Sequence, residues 1–181
     1  MKVDVYKRKE RFLNWKSRVQ EEGIAGLTKD NSSIVIRYVL DMEAGRNTAN
    51  GSAKGGRSYP RLCNLTQRMT WIAGMLEQRG VTDLRNCTEK AAADLFSDME
   101  RGEVLTRDGK PYKSYGDYVR VFKAFWHWWM KVNRKEGHAI PDITEDMRSD
   151  TAKPKFVYIT KDRLDHMLPY FSDERSEEHT S

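Results

Sequence analysis

The chain has 181 residues, room for one domain and part of a second; 33% of them are charged, the net charge is +5 and the mean hydropathy is −0.80. Five Trp, eight Tyr and six Phe exclude a disordered polyelectrolyte and point to a folded, basic core. No apolar run approaches the roughly 18 residues of a membrane span, so no membrane partner is expected, and the basic balance favours nucleic acid or another anionic surface.

The N-terminal MKVDVYKRKER lacks the apolar segment of a signal peptide, and Cys63 and Cys87 stand alone without CxxC spacing. Ordinary thiols in a reducing cytoplasm are expected, with no metal and no cofactor. Lys7 to Glu22 reads as a charged helix with Phe12, Trp15 and Val19 on one side, ended by Gly23. Asn31 or Ser32 can cap a second helix, with Ile36, Val39, Leu40 and Glu43 in helical register and a stop at Gly45. RNTANGSAKGGRS, Arg46 to Ser58, has turn and linker composition. Its Lys54, Gly55, Gly56 and Arg57 can wrap along phosphates or simply form a loop. Ser58 opens a third helix, with Pro60 in the first turn and a seam of Leu62, Leu65, Met69, Ile72 and Leu76. Arg57, Arg61, Asn64 and Arg68 form a second stripe flanking that seam. Gly80 ends this helix. After VTDLRNCT, Thr88 caps a short fourth helix that buries Ala92, Leu95, Phe96 and Met99 and ends at Gly102. In EVLTRDGKPYK, Asp108-Gly109 is a hairpin turn signal between two short strands.

The stretch from Ser114 to Glu136, SYGDYVRVFKAFWHWWMKVNRKE, reads as the helix around which the rest is arranged. Tyr115, Tyr118, Val119, Phe122, Phe125, Trp126, Trp129 and Val132 recur at the spacing of one broad apolar face. Arg120, Lys123, His127, Lys131 and Arg134 fall on a narrow arc opposite it. That arc is either a solvated face or one built for an anion. Trp128 lies off the apolar stripe and either covers a neighbouring element or stacks at a partner surface, packing being the favoured reading.

After Gly137, HAIPDITEDMRSDTAKPK carries two prolines and mixed charges and reads as an interdomain linker. FVYIT reads as a short strand, and Thr160 caps a helix KDRLDHMLPYF with Leu164, Met167 and Leu168 apolar. This piece is too small to fold alone and reads as the opening of another domain. The last seven residues, RSEEHTS, correspond in frame to AGA TCG GAA GAG CAC ACG TCT, a sequencing-library adapter string. They are expected to be adapter-derived and are set aside, His179 included.

In this order the elements become specific. SYPRLCNLTQRMTWIAGMLEQRGVTDLRNCTEKAAADLFSDMERG, a loop, and KSYGDYVRVFKAFWHWWMKVNRKEG together resemble the core-binding domain of tyrosine recombinases and phage-type integrases. Tyr115, Phe122 and Phe125-Trp126 match that family's Y-x-x-x-x-x-x-F-x-x-W helix with the Trp displaced by one place. FVYITKDRLDHML is similar to its Y-L-T-x-E-E-L-x-x-L-L approach to the catalytic domain, with Ile159 for Leu and Asp162-Arg163 for the paired acids. The first helix and the Gly/Lys loop look closer to archaeal or viral members.

The resemblance implies an all-α, SAM-like bundle of four to five helices, then a linker and the start of a truncated α+β catalytic domain. Its divisions would be an N-terminal helical extension over 1–30, the core-binding domain over 31–139, the linker over 140–155 and the catalytic opening over 156–174. Such a module grips one face of a recombination site on double-stranded DNA, in the nucleoid, and the full-length parent self-associates there. The parent would cut DNA through a tyrosine and a 3′-phosphotyrosyl link. This chain would bind and not cut, because Tyr115 and Tyr118 read as core and Tyr158 as strand packing. The DNA-binding candidates are Lys54, Arg57, Ser58, Arg61, Asn64 and Arg68, then Lys113, Ser114, Arg120, Lys123, His127 and Lys131. Phosphate contacts would supply most of the affinity. Ser58 and Ser114 either meet a phosphate at a helix start or only cap it, and Asn64 either reads an adenine edge or is solvated. The alternative is a basic all-α protein-interaction or transcription-regulatory module. Convergence of the two cationic stripes on one concave surface would favour DNA; divergence would favour solvation.

Overall fold

A computed structural model describes residues 6–48, 55–149 and 160–172. Over these the chain is all-helical, with six α-helices and no strand. Helices α1 (Arg8–Glu22), α2 (Lys29–Ala44), α3 (Tyr59–Glu77), α4 (Glu89–Glu100) and α5 (Tyr115–Lys135) belong to one compact unit, Met1–Thr151; α6 (Lys161–Ser172) belongs to a second, Ala152–Ser181. Lys54, the FVYI of the expected strand and the RSEEHTS tail lie outside the described residues.

The centre of the first unit is α3, which packs against α1, α2, α4 and α5. It can do so because its buried residues, Leu62, Cys63, Thr66, Met69, Ile72, Ala73 and Leu76, occupy more than one stripe of its surface. The sequence pattern gave that central place to α5, whose aromatics are the more conspicuous. On α5 itself Val119, Phe122, Phe125, Trp126 and Val132 are buried as the spacing predicts. The exchange lies at the tryptophans: Trp128 is 2% exposed and Trp129 only half-buried. Trp128 leaves the apolar stripe because its partners are on α2, where Tyr38 stands 5.1 Å away and Asp41 Oδ2 accepts its indole N–H at 2.9 Å.

The second helix begins earlier than its sequence suggests. Thr28 is its cap, accepting from the Asn31 N–H, and both Asn31 and Ser32 are buried inside α2. They tolerate burial because tertiary partners replace water. Asn31 donates to Glu77 Oε1 and to the Val81 carbonyl and accepts from the Leu84 N–H, while Ser32 Oγ accepts from the Ile24 N–H. The buried register is therefore Ile34, Val35, Tyr38, Val39 and Met42, and Ile36, Leu40 and Glu43 are left half-buried.

Thr88 caps α4, which buries Ala92, Leu95, Phe96 and Met99 as expected. Between α4 and α5 the expected pair of strands is reduced to a single antiparallel bridge, Leu105 to Pro111. Proline has no N–H to extend the ladder, and the turn closes through Thr106 N–H to the Lys110 carbonyl. The described part of the expected linker, 140–149, packs onto the unit, with Ile143 8% exposed and Thr144 fully buried. Among the described residues no helix is long and apolar enough to cross a membrane.

Candidate nucleic-acid interface

The cationic stripe of α3 and part of that of α5 meet. Arg57, Arg61, Asn64 and Arg68 from the α3 side and Arg120 from α5 line one groove of about 450 Å³, floored by Tyr38, Leu65, Val121 and Trp128. Four arginines and one acid, Asp117, line it. A larger hollow of about 750 Å³ between α1 and α2 is different in kind: Glu21, Glu22 and Asp41 are matched there by Lys29, Arg37 and Arg46. The charge bias belongs to the first groove.

Asp117 stands between two of the arginines, 2.9 Å from Arg68 and 2.8 Å from Arg120. It joins Arg68 across the α3–α5 seam and Arg120 one turn along α5, and the Arg68 guanidinium also lies 5.6 Å from the Tyr118 ring centre. Arg61 is exposed and makes no ion pair among the described residues. Tyr38 forms the floor at 1% exposure; burial pushes its phenol well above the usual range, against the pull of Arg57 and Arg61. At one rim, Asn47 and Thr48 line the groove, and Arg57 is tied down by its N–H to the Met42 carbonyl.

The remaining candidates divide. Ser58 and Ser114 hold the N-cap positions of α3 and α5, yet neither side chain caps its helix, and both are exposed. Lys113 is exposed beside Ser114. Lys123, His127 and Lys131 do not line the groove and engage the chain itself. Lys123 donates to the Met147 carbonyl, His127 contacts Asp142 at 2.8 Å, and Lys131 donates to the Thr48 carbonyl. Burial pushes the Asp142 carboxyl up, but hydrogen bonds from Thr144 and His127 outweigh it and hold its pKa below the usual value. Trp126 Nε1 donates to the Pro141 carbonyl, and Arg120 reaches the Ser149 carbonyl. Residues 141–149 thus form a strap along the flank of α5 that the sequence presents as a free cationic arc.

Sequence reasoning missed Asp117 and the aromatic cluster beside it. Trp71 lies 5.0 Å from Tyr112 and 4.9 Å from Tyr118, ring centre to ring centre. The signal was available in part, since Trp71 continues the Arg61, Asn64, Arg68 spacing along α3. Compared with family models, curated proteins and solved structures, the chain matches none.

Proposed function

We propose that the chain is a DNA-binding module of the kind that grips one face of a recombination site in tyrosine recombinases, acting without cutting. The observation that carries the DNA part is the convergence of Arg57, Arg61, Arg68 and Arg120 on one concave surface. Clustered guanidinium groups suit phosphate oxygens because each offers a planar fork of donors. Release of condensed counterions from the duplex then drives association. The groove's arginines bind the sugar-phosphate backbone, with Asn64 among them in the lining; the hydroxyl of Ser58, which makes no capping hydrogen bond, adds a neutral donor at the start of α3. The recombinase part is supported by the order and spacing of the helical motifs alone, and double-stranded DNA in the nucleoid is the partner it implies.

A second reading, a basic protein-interaction or regulatory module, is favoured by one observation: Lys123, His127 and Lys131 are already engaged within the chain. Titrating duplex binding by the full chain against salt separates the two. The first reading predicts affinity that falls steeply with salt, with the slope of log K against log salt reduced by about 0.9 for each phosphate contact removed in Arg61→Ala, Arg68→Ala or Arg120→Ala. No binding at low salt would leave the second reading.

A further inference from the structure

The stretch from Val104 to Lys113 carries three cations, Arg107, Lys110 and Lys113, and one acid, Asp108. All three cations are exposed, and none makes an ion pair among the described residues. They contrast with the α5 flank, where Lys123, His127 and Lys131 have partners within the chain. The stretch is also shaped in advance. Thr106 N–H donates to the Lys110 carbonyl at 2.8 Å, Lys110 N–H donates back to Thr106 Oγ1 at 3.2 Å, and Gly109 takes the left-handed φ of 71° that the turn requires. Leu105, at its edge, is 50% exposed.

What makes this more than a charged loop is its anchor. Tyr112 packs on Trp71 of α3 and, at 5.4 Å, on Tyr118 of α5. Tyr118 in turn lies beneath the guanidinium of Arg68, which lines the arginine groove. A set of side-chain contacts therefore joins the root of the turn to an arginine that lines the groove. These ring contacts anchor the root of the turn against α3 and α5.

We infer that residues 104–113 are a wing that extends the groove's cationic track, with Arg107, Lys110 and Lys113 contacting the nucleic-acid backbone beyond the segment held by Arg61 and Arg120. The inference rests on the DNA reading of the groove. Tyr112 is a positioning residue: it touches no phosphate and sets where the three cations stand.

The test uses the full chain and a duplex longer than the groove, with binding measured across a salt series. Arg107→Ala/Lys110→Ala is expected to lower the slope of log K against log salt by about 1.8 and to shorten a hydroxyl-radical footprint at one end. Tyr112→Ala removes no charge, so a merely structural aromatic would leave the slope alone. The wing predicts that this variant loses slope and footprint in the same direction while the helical circular dichroism is kept. If the Arg107/Lys110 variant binds like the parent while Arg61→Ala weakens binding, the wing is overturned and the groove stands. If the parent does not bind the duplex at low salt, both fall. Should Tyr112→Ala fail to fold, the surface double variant still decides the matter.

Discussion

Asp41 supports the groove floor from inside the core. At 7% exposure it accepts from Trp128 Nε1 at 2.9 Å and from Asn47 Nδ2 at 2.8 Å, and it pairs with Arg46 at 3.1 Å. A buried donor that loses its acceptor costs about 1–3 kcal/mol. Asp41→Ala should therefore lower the urea-unfolding free energy by about that much, and Trp128→Phe, which removes the orphaned N–H, should make the two changes non-additive. Simple additivity would show that the pair is not coupled. Glu77 plays a similar part at the other end of α2, where Thr28 N–H, Thr28 Oγ1 and Asn31 Nδ2 all donate to its Oε1. Burial pushes its carboxyl up, but those hydrogen bonds outweigh burial and leave its pKa below the ordinary 4.5. A carboxylate depressed in the folded state stabilises above its unfolded pKa, and that stability is lost as pH falls through the folded value. Urea midpoints should accordingly drop on acidification below about pH 4.5, and less so in Glu77→Gln. An unchanged acid limb in that variant would remove Glu77 from the account.

At the scale of elements, the loop between α2 and α3 is pinched at its base. A Cβ on Gly56 would come within 2.0 Å of the Glu43 carbonyl oxygen, and Gly45 holds φ 68° with Gly55 crossing close by. Gly56→Ala should force that crossing apart, moving Arg57 and the groove rim. The expected result is a loss of about 1–3 kcal/mol in stability, read by thermal or urea unfolding; a variant as stable as the parent would contradict the close approach. This crossing is invisible in sequence, where Gly55-Gly56 reads only as loop composition. By contrast the cap and the buried stripe of α4 were legible, because its four buried side chains follow one helical stripe and its cap is local. The register of α2 was not. Asn31 and Ser32 look like caps until Glu77, Val81, Leu84 and Ile24 supply partners from up to 53 residues away. Trp128 packs on α2, as its off-stripe position suggested; it is Trp129, placed on the apolar stripe by periodicity, that stays half-buried, because helical spacing alone cannot weigh how much a second element covers.

For the whole molecule, the sequence identified cations but not their employment. Periodicity placed Arg120, Lys123, His127 and Lys131 on one arc; the fold brings only Arg120 into the groove, where it also reaches the Ser149 carbonyl, and engages the others with Met147, Asp142 and Thr48. The α3 stripe keeps its place in the groove, where Arg68 is held by Asp117 and Arg61 is exposed with no ion pair among the described residues. What the strap covers could not be read from HAIPDITEDMRSD, whose prolines and mixed charges resemble any linker. The account therefore predicts that position on the molecule decides nucleic-acid binding. The most direct measurement compares the salt dependence of duplex binding by the full chain with that of Arg61→Ala/Arg120→Ala and of Lys123→Ala/His127→Ala. The groove pair should lower the slope of log K against log salt by about 1.8, and the strap pair should leave it at the parent value. Equal losses in both pairs, or a loss confined to the strap pair, would contradict the groove as the binding face.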